Sequence, residues 1–349
     1  MKMKMKKKRE KPKKKKKYKR KEQCDEEEEK EEKYTKTNNN QSSNSNSKFI
    51  KSLPIKVIKT KYNIRNLVAL KDGRLVINDF FDNKIIIFDK ENFNVNVTIK
   101  LDSPHPLFVL NSGALFVHGS KNNKESNFIY KIEGNNYELF QKIKSKGSLE
   151  GVTELVENSL IIYYQDSSYF YSKNYDGKYF EEYQIKDGFS KSRGNIISIN
   201  SDLICYPALG DEKLDHRKCY AVFYNLKEKR IIHKIKNVGD EAIKLDKRYL
   251  GFMNAKEIDI IDCLRREVVK TVPFKLEEWY ECFYSTGNGN LLLGYHNGTL
   301  AHFRFDGVNF KLVTKKDNAH GEKKIINAIV VLPDGRLVTS GADNTTKIW

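Results

Sequence analysis

The chain has 349 residues, of which 39% are hydrophobic, with 64 Lys plus Arg against 46 Asp plus Glu and a formal net charge of +18. This length and apolar content suffice for a large core. The charge is uneven, because residues 1–48 hold 19 basic and 9 acidic side chains and the rest hold 45 and 37. Most of the positive charge therefore belongs to a short segment and not to a folded surface.

Several classes of protein are excluded early. The longest apolar runs, such as 325–332, are far shorter than the roughly 20 residues of a membrane-spanning helix. The N-terminus is polybasic without an apolar stretch, and Lys2 stands where myristoylation needs glycine, so we expect an intracellular protein. Five widely spaced cysteines in a long chain favour reduced, mostly buried thiols over a disulfide framework.

The N-terminal 48 residues have no hydrophobic period. A lysine block (1–20) is followed by an acidic block (21–33) and a polar Asn- and Ser-rich tract (34–48). This composition cannot bury enough apolar surface to fold, so we predict a disordered tail over 1–48. Compositional bias without function is an equal explanation for the Asn- and Ser-rich tract.

From Phe49 onward the pattern is typical of strands. Runs of four to eight β-branched and aromatic residues alternate in polarity and are interrupted by Gly, Asn, Asp or Lys. The segment 64–79 aligns without gaps on 326–341, and 82–88 then aligns on 343–349. The same rhythm recurs between these ends, with third strands predicted to end at Phe88, Ile132, Tyr175, Tyr224, Ile261, Phe305 and Trp349.

The offset of the aligned segments gives a period of about 44 residues, which fits a four-stranded propeller blade. An insertion at 210–218 accounts for the uneven spacing near Tyr224. The sequence therefore predicts an all-β body over 49–349, built as a seven-bladed β-propeller. The segment 54–60 is left over in this count. We expect it to supply the missing outer strand of the last blade and so close the ring, because an open ring would leave unpaired strand edges; the alternative is a chain truncated after Trp349.

The C-terminal segment carries the clearest motif: His320, an apolar strand, a PDGR turn and the sequence LVTSGADNTTKIW. This segment resembles the WD-repeat family, in which a His, a hydroxyl residue, an Asp and a Trp form a hydrogen-bonded set. The resemblance places that set on His320, Thr339, Asp343 and Trp349, and it implies a structural role, not a catalytic triad. Because the turn looks one residue short, Ser340 is the alternative to Thr339.

We find no positive sign of catalysis, of a cofactor or of a metal site. His216 and Cys219, with Cys205 upstream, superficially suggest metal ligands, but core thiols beside a loop histidine explain them better than zinc. The GNGN sequence at 287–290 lacks the lysine and helix of a phosphate-binding loop. We therefore expect a non-enzyme, with a propeller hydrolase as the lesser alternative.

Binding is the favoured function, because propeller loops gather around a central opening and form a platform for partners. The candidate partner-binding residues in loops are Phe80, Phe81, Tyr295, His296 and Asn344. Packing of the two phenylalanines between blades is an equal explanation. Trp279, at the start of a first strand, is expected to pack in the core or rim instead of forming a stacking platform.

The tail suggests nuclear targeting. The candidate import residues are Lys6, Lys7, Lys8, Arg9, Lys13, Lys14, Lys15, Lys16, Lys17, Lys19, Arg20 and Lys21. Such a cluster also binds nucleic acid or anionic lipid by charge alone. We therefore expect a monomeric propeller that acts as a protein-interaction scaffold within a complex, in the nucleus or nucleolus or else the cytoplasm. An RNA- or ribosome-associated factor that uses the tail is the alternative.

Overall fold

The structure, a computed structural model, describes residues 49–349 except 52, 62–63, 80, 123, 156–158, 165–166, 186–189, 192–194, 210–218, 255 and 274–278. The tail 1–48 with its lysine cluster therefore lies outside the described residues, as do Phe80, His216 and the expected insertion at 210–218. Within the described part, 29 strands form seven antiparallel sheets and no helix occurs. The predicted seven-bladed β-propeller is confirmed.

The first three blades follow the chain in order, from innermost to outermost strand. Blade 1 contains β2 (Leu67–Ala69), β3 (Leu75–Asp79), β4 (Lys84–Phe88) and β5 (Val95–Lys100). Blade 2 contains β6 (Leu107–Val109), β7 (Leu115–Lys121), β8 (Lys124–Glu133) and β9 (Asn136–Lys144). Blade 3 contains β10 (Leu149–Glu154), β11 (Leu160–Tyr164), β12 (Ser167–Lys173) and β13 (Tyr179–Ile185).

The innermost strand of blade 4 is in two pieces, β14 (Ser190–Lys191) and β15 (Ile197–Ser198), which both pair with β16. Its remaining strands are β16 (Leu203–Leu209), β17 (Cys219–Asn225) and β18 (Arg230–Lys236). Blade 5 contains β19 (Glu241–Lys244), β20 (Tyr249–Met253), β21 (Glu257–Asp262) and β22 (Glu267–Pro273). Blade 6 contains β23 (Tyr280–Ser285), β24 (Asn290–Tyr295), β25 (Leu300–Phe305) and β26 (Phe310–Lys316).

Blade 7 joins the two ends of the described chain. It contains β27 (Ile326–Val331), β28 (Leu337–Gly341), β29 (Thr345–Ile348) and, as its outermost strand, β1 (Lys56–Lys59). The pairing of β1 with β29 is antiparallel and aligns Lys56 with Ile348 and Lys59 with Thr345. Thr60 N also donates to Asn344 O at 2.9 Å. The ring is therefore closed by backbone hydrogen bonds between residues about 290 positions apart.

Seven hydrophobic clusters lie between successive blades, the last of them between blades 7 and 1. Strand alternation explains how one blade serves two clusters. On β3, Leu75 and Ile77 pack against blade 7, whereas Val76 between them packs against blade 2. Both faces of a strand are apolar because both are buried, each by a different neighbour.

The repeated DGR turn also links neighbouring blades. In blade 1, Arg74 Nε donates to Asp72 at 2.8 Å, and the same guanidinium donates to the carbonyl of Gly134 in blade 2. In blade 7, Arg336 Nε donates to Asp334 at 2.7 Å and its Nη2 donates to the carbonyl of Lys90 in blade 1. The arginine of this repeated turn therefore reaches the next blade in both copies.

One predicted strand end is wrong. Tyr175 lies in the turn after β12 and is 98% exposed, whereas Tyr171 pairs with Leu160 in the position that Phe88 takes opposite Leu75 in blade 1. Tyr171 is buried at 3% exposure. The turn of blade 3 contains an extra aromatic residue in solvent, and an aromatic count alone does not distinguish the two tyrosines.

Closure by β1 is testable with proline. Since Thr60 N–H bonds to Asn344, the alternation of the ladder directs Ile58 N–H toward Thr346 and Val57 N–H away from the sheet. Ile58→Pro removes a ladder bond and a side chain packed between blades 7 and 1, so we expect a loss of about 2–3 kcal/mol in unfolding free energy. Val57→Pro is the matched control and should cost under about 1 kcal/mol in urea titrations. Equal losses would contradict the register.

Candidate functional site

The structure brings His320, Thr339, Asp343 and Trp349 together in blade 7. Trp349 Nε1 donates to Thr339 Oγ1 at 2.9 Å, and Thr339 Oγ1 lies 2.7 Å from His320 Nε2. His320 Nδ1 lies 2.8 Å from Asp343 Oδ1. His320, Thr339 and Trp349 are buried at 1% exposure or less, so this is an interior network that spans the loop before β27, the strand β28 and the end of β29.

The protonation states follow from the partners. An ionised Asp343 only accepts, so His320 donates from Nδ1 and accepts the Thr339 hydroxyl proton at Nε2. Burial lowers the pKa of His320 despite the nearby carboxylate, which keeps the imidazole neutral. Burial tends to raise the pKa of Asp343, but hydrogen bonds from His320 and Thr345 outweigh it and hold that pKa below its ordinary value. The polar hydrogens that Trp349, Thr339 and His320 donate within this network thus each have an acceptor.

Ser340, the alternative member of the set, has a different partner. Its hydroxyl donates to the carbonyl of Ile64 in the segment leading into blade 1, at 2.7 Å. The adjacent Gly341 approaches the His320 ring so closely that any β-carbon there would collide with the imidazole. Glycine is therefore required at position 341. The sequence shows this glycine, but motif spacing alone does not show that it packs against the histidine.

Two other blades hold polar networks that the sequence did not reveal. In blade 6, His302 Nε2 lies 3.0 Å from Asn290 Oδ1, and both residues are buried. In blade 2, His118 Nδ1 lies 3.0 Å from Asn127 Oδ1, whose amide donates to the Tyr164 hydroxyl of blade 3 at 2.8 Å. The available signal is an Asn within an apolar strand, as Asn127, or at its first position, as Asn290, because a buried amide needs partners.

Thr339 is the junction of the blade 7 network, so its hydroxyl can be tested by an isosteric change. Thr339→Val leaves the Trp349 N–H and His320 Nε2 without a partner, and we expect a loss of about 2–4 kcal/mol in unfolding free energy. Thr346→Val is the control, because Thr346 is equally buried but its hydroxyl has no hydrogen-bond partner among the described residues. That variant should be neutral or stabilising in chemical denaturation; a costlier control would contradict this assignment.

Histidine burial also predicts a pH dependence. Burial, with a smaller contribution from the charge of Arg304, lowers the pKa of His302 to about 4. Because this pKa is below that of a histidine in the unfolded chain, the unfolded state binds the proton more tightly. The contribution of neutral His302 to the unfolding free energy is therefore fully present above about pH 6.5 and is lost as the pH drops toward 4. The expected contribution of His302 is about 2–3 kcal/mol. His302→Gln should reduce the fall in unfolding free energy between pH 7 and 4.5, measured by denaturant titration at each pH. His233→Gln, at an exposed strand position, should leave that fall unchanged.

The connections between second and third strands, and those between blades, lie at one end of the ring, here called the upper face. It carries Phe81, which is 65% exposed, His296, whose side chain is 44% exposed, and the exposed Asn344. Tyr295 does not belong to it: the side chain is 2% exposed and packs between blades 5 and 6. That prediction is wrong because Tyr295 ends β24 and points inward, while the turn begins at His296.

Trp279 was expected to pack in the core or rim. The indole lies at the rim, on the upper face at the entry to β23, and is 70% exposed. The backbone around it is held, since His296 N donates to Trp279 O at 3.1 Å. His296 Nε2 lies 2.7 Å from Glu281 Oε2. A large apolar ring is thus presented beside a polar pair, at the innermost strand of blade 6.

The innermost strands, which border the central opening, carry four glutamates among the described residues: Glu150, Glu154, Glu241 and Glu281. Three of them have partners within the ring. Glu241 accepts from the Tyr280 hydroxyl at 2.9 Å, Glu154 accepts from the Tyr179 hydroxyl at 2.9 Å, and Glu281 contacts His296. The first pair connects blades 5 and 6, the second connects the innermost and outermost strands of blade 3, and the third lies within blade 6, so these carboxylates have structural roles.

The thiols and one further cavity offer no metal site. Among the described residues no cluster of His, Cys, Asp and Glu has the geometry of a metal site. Cys205, Cys219 and Cys263 are buried, and burial raises the pKa of Cys219 to about 11. A cavity of about 480 Å³ opens among the turns of blades 1–3 at the opposite, lower face, where Lys131 lies 4.0 Å from the Phe140 ring and Lys173 faces Glu154.

Comparison with known proteins supports the fold only. The chain matches no protein-family model and no curated protein sequence. Among solved structures, it is similar to the crystal structure of Chaetomium thermophilum Raptor, with a TM-score of 0.66 and 13% sequence identity. The match covers 85% of this chain and 28% of that one. Separately, none of the described residues forms a helix long and apolar enough to cross a membrane.

Proposed function

We propose that the protein is a non-catalytic interaction scaffold that binds a protein partner on the upper face of its propeller. The observation that carries this proposal is the 70% exposure of Trp279. Tryptophan is the residue most enriched at binding hot spots, because burying its large ring gains apolar contact while its N–H finds a polar partner. The fold positions this indole on a rim that all seven blades support.

The surroundings of Trp279 suit a specific contact. The backbone carbonyl of Trp279 accepts a hydrogen bond from the backbone N–H of His296. The His296–Glu281 pair supplies polar groups next to this residue. A hydrophobic anchor with a polar rim is the usual anatomy of a protein interface. Phe81 lies on the same face in blade 1 and adds a second exposed aromatic side chain. Both aromatic side chains stand on loops whose strands are fixed in the ring.

The tail adds a proposed location to this proposed activity. Thirteen net positive charges in the first 20 residues support nuclear import, and the same charges support contact with nucleic acid as the alternative. The tail over 1–48 and the ring over 49–349 then act as separate parts, the first directing the protein and the second holding its partner. A propeller hydrolase remains the lesser alternative.

The upper-face proposal predicts a selective loss of binding. Trp279→Ala in the full chain should reduce recovery of the specific partner by roughly tenfold or more, since truncating a central aromatic anchor costs about 2 kcal/mol. Thermal stability should be unchanged because the indole is mostly exposed. Quantitative affinity purification measures the recovery. Tyr175→Ala is the matched control, an exposed aromatic residue on the lower face, and equal recovery from both variants would contradict the proposal.

The tail proposal predicts a separable loss of location. Replacing Lys13–Lys17 by Gln should abolish nuclear accumulation of a fluorescent fusion while partner recovery from lysate stays unchanged. Replacing the same number of lysines on outer strands of the ring is the control. RNA filter binding of the full chain at low salt then tests the alternative, which fails if no affinity is found.

A further inference from the structure

The outer strands of the seven blades divide their charge unevenly around the ring. The outer strands of blades 4–7, which are β18, β22, β26 and β1, contain nine basic side chains and one acidic one, Glu267. The outer strands of blades 1–3, which are β5, β9 and β13, contain three of each sign. The net charge of the first group is +8, which equals that of residues 49–349 as a whole, with 45 basic and 37 acidic side chains. The remainder of 49–349 therefore has no net charge.

The nine basic side chains are here called the basic wall. They are Arg230, Lys234, Lys236, Lys270, Lys311, Lys315, Lys316, Lys56 and Lys59. Seven of them are exposed and two are half-buried. Arg230 pairs with Glu228 at 2.6 Å, and Lys315 pairs with Asp317 at 2.9 Å. Four exposed lysines form no ion pair with a carboxylate of the described residues: Lys56, Lys59, Lys236 and Lys311.

Protection of the strand edges does not explain this division. Charged side chains on an outer strand hinder its pairing with other chains, and charges of either sign serve that purpose. Blades 1–3 have outer edges of the same kind, yet Glu181 and Glu182 on β13 balance Lys142 and Lys144 on β9. Like charges on adjacent blades repel each other, so the excess on blades 4–7 opposes folding. An anionic occupant removes this repulsion, and the basic wall therefore has the character of a binding surface.

The shape of the basic wall distinguishes among anionic occupants. Seven blades share one full turn, so the outer strands of blades 4 and 7 face directions about 150° apart. A flat membrane contacts only the part of such a convex wall that faces it. A double helix resists bending on this scale, because its persistence length is about 50 nm. A flexible single strand follows the curve and brings successive phosphates to successive blades. We propose that the basic wall binds single-stranded nucleic acid through its phosphates, independently of the tail.

The side chains of these strands suit phosphates and not bases. Stacking of bases requires exposed aromatic rings. Phe310 is the only Phe, Tyr or Trp on the four strands, and it is half-buried against the cluster between blades 5 and 6. A lysine ammonium group binds a phosphate as a point charge and does not read the base sequence. The ring therefore binds different sequences with similar affinity, and that affinity falls steeply with salt.

Fluorescence anisotropy with a labelled oligouridine of about 30 nucleotides tests the proposal. The full chain is used, with Lys13–Lys17 replaced by Gln to reduce the contribution of the tail. In this background, the combined changes Lys56→Gln, Lys59→Gln, Lys236→Gln and Lys311→Gln should weaken binding roughly tenfold or more at about 0.1 M salt. The slope of log affinity against log salt should become shallower by about 2–3, since each phosphate contact on a single strand contributes about 0.7.

The matched control removes the same charge from exposed lysines on the opposite side of the ring. Its changes are Lys90→Gln, Lys100→Gln, Lys142→Gln and Lys144→Gln, in blades 1 and 2. Affinity should change by less than about threefold, and the salt slope should stay the same. Equal weakening by the two variants would show that only overall charge acts, and it would overturn the proposal, as would a background chain without affinity for the oligouridine. Urea titration checks that both variants keep the stability of the background chain.

Ultraviolet crosslinking of the oligouridine to the unaltered chain, mapped by mass spectrometry, locates the contact without any substitution. Crosslinked peptides from 49–349 should come from β18, β22, β26 and β1, and an equal yield from β5, β9 and β13 contradicts the basic wall. Vesicles of phosphatidylserine and phosphatidylcholine test the other occupant: if their binding depends on the four lysines and oligouridine binding does not, the wall belongs to a membrane and the proposal is wrong. Trp279→Ala should leave oligouridine affinity unchanged, which separates this surface from the protein partner of the upper face.

Discussion

Burial between blades is the interaction on which this structure depends. A four-stranded sheet has two apolar faces, and no blade can cover both by itself, so each face is buried by a different neighbour. Seven blades supply seven such interfaces, and the ring leaves none uncovered because blade 7 packs on blade 1. The alternation of Leu75, Val76 and Ile77 shows this at the level of single residues. Upper-face loops are positioned only as a consequence of that packing.

The repeat made the architecture predictable, because the period of the polar turns is set by the number of residues needed for four strands. The aligned DGR turns also link neighbouring blades, because Arg74 and Arg336 each donate a hydrogen bond to a carbonyl of the following blade. An alignment shows that the arginine recurs. It does not show that the side chain crosses an interface, since that depends on the rotation between neighbouring blades.

Side-chain direction was the part that sequence could not provide. Tyr295 and His296 are adjacent, but one ends a strand and is buried while the other begins a turn and is exposed. Trp279 was expected in the core or at the rim, and sequence did not decide between them; the entry to an innermost strand lies at the mouth of the opening, where no neighbouring blade covers the indole. A shift of one residue at a strand end reverses the direction of a side chain, and boundaries are the least certain part of a pattern.

Closure by β1 sets an order of events during synthesis. Its partner β29 leaves the ribosome about 290 residues later, so the segment around β1 must wait while blades 1–6 are made. Contacts this distant in sequence form late and slow folding. The unpaired segment around β1 contains Leu53, Ile55 and Val57 and is prone to associate with other chains. Lys51, Lys56 and Lys59 lie among these apolar residues and act as charged gatekeepers during that interval. The lysines of β1 therefore protect the nascent chain before they belong to any finished surface.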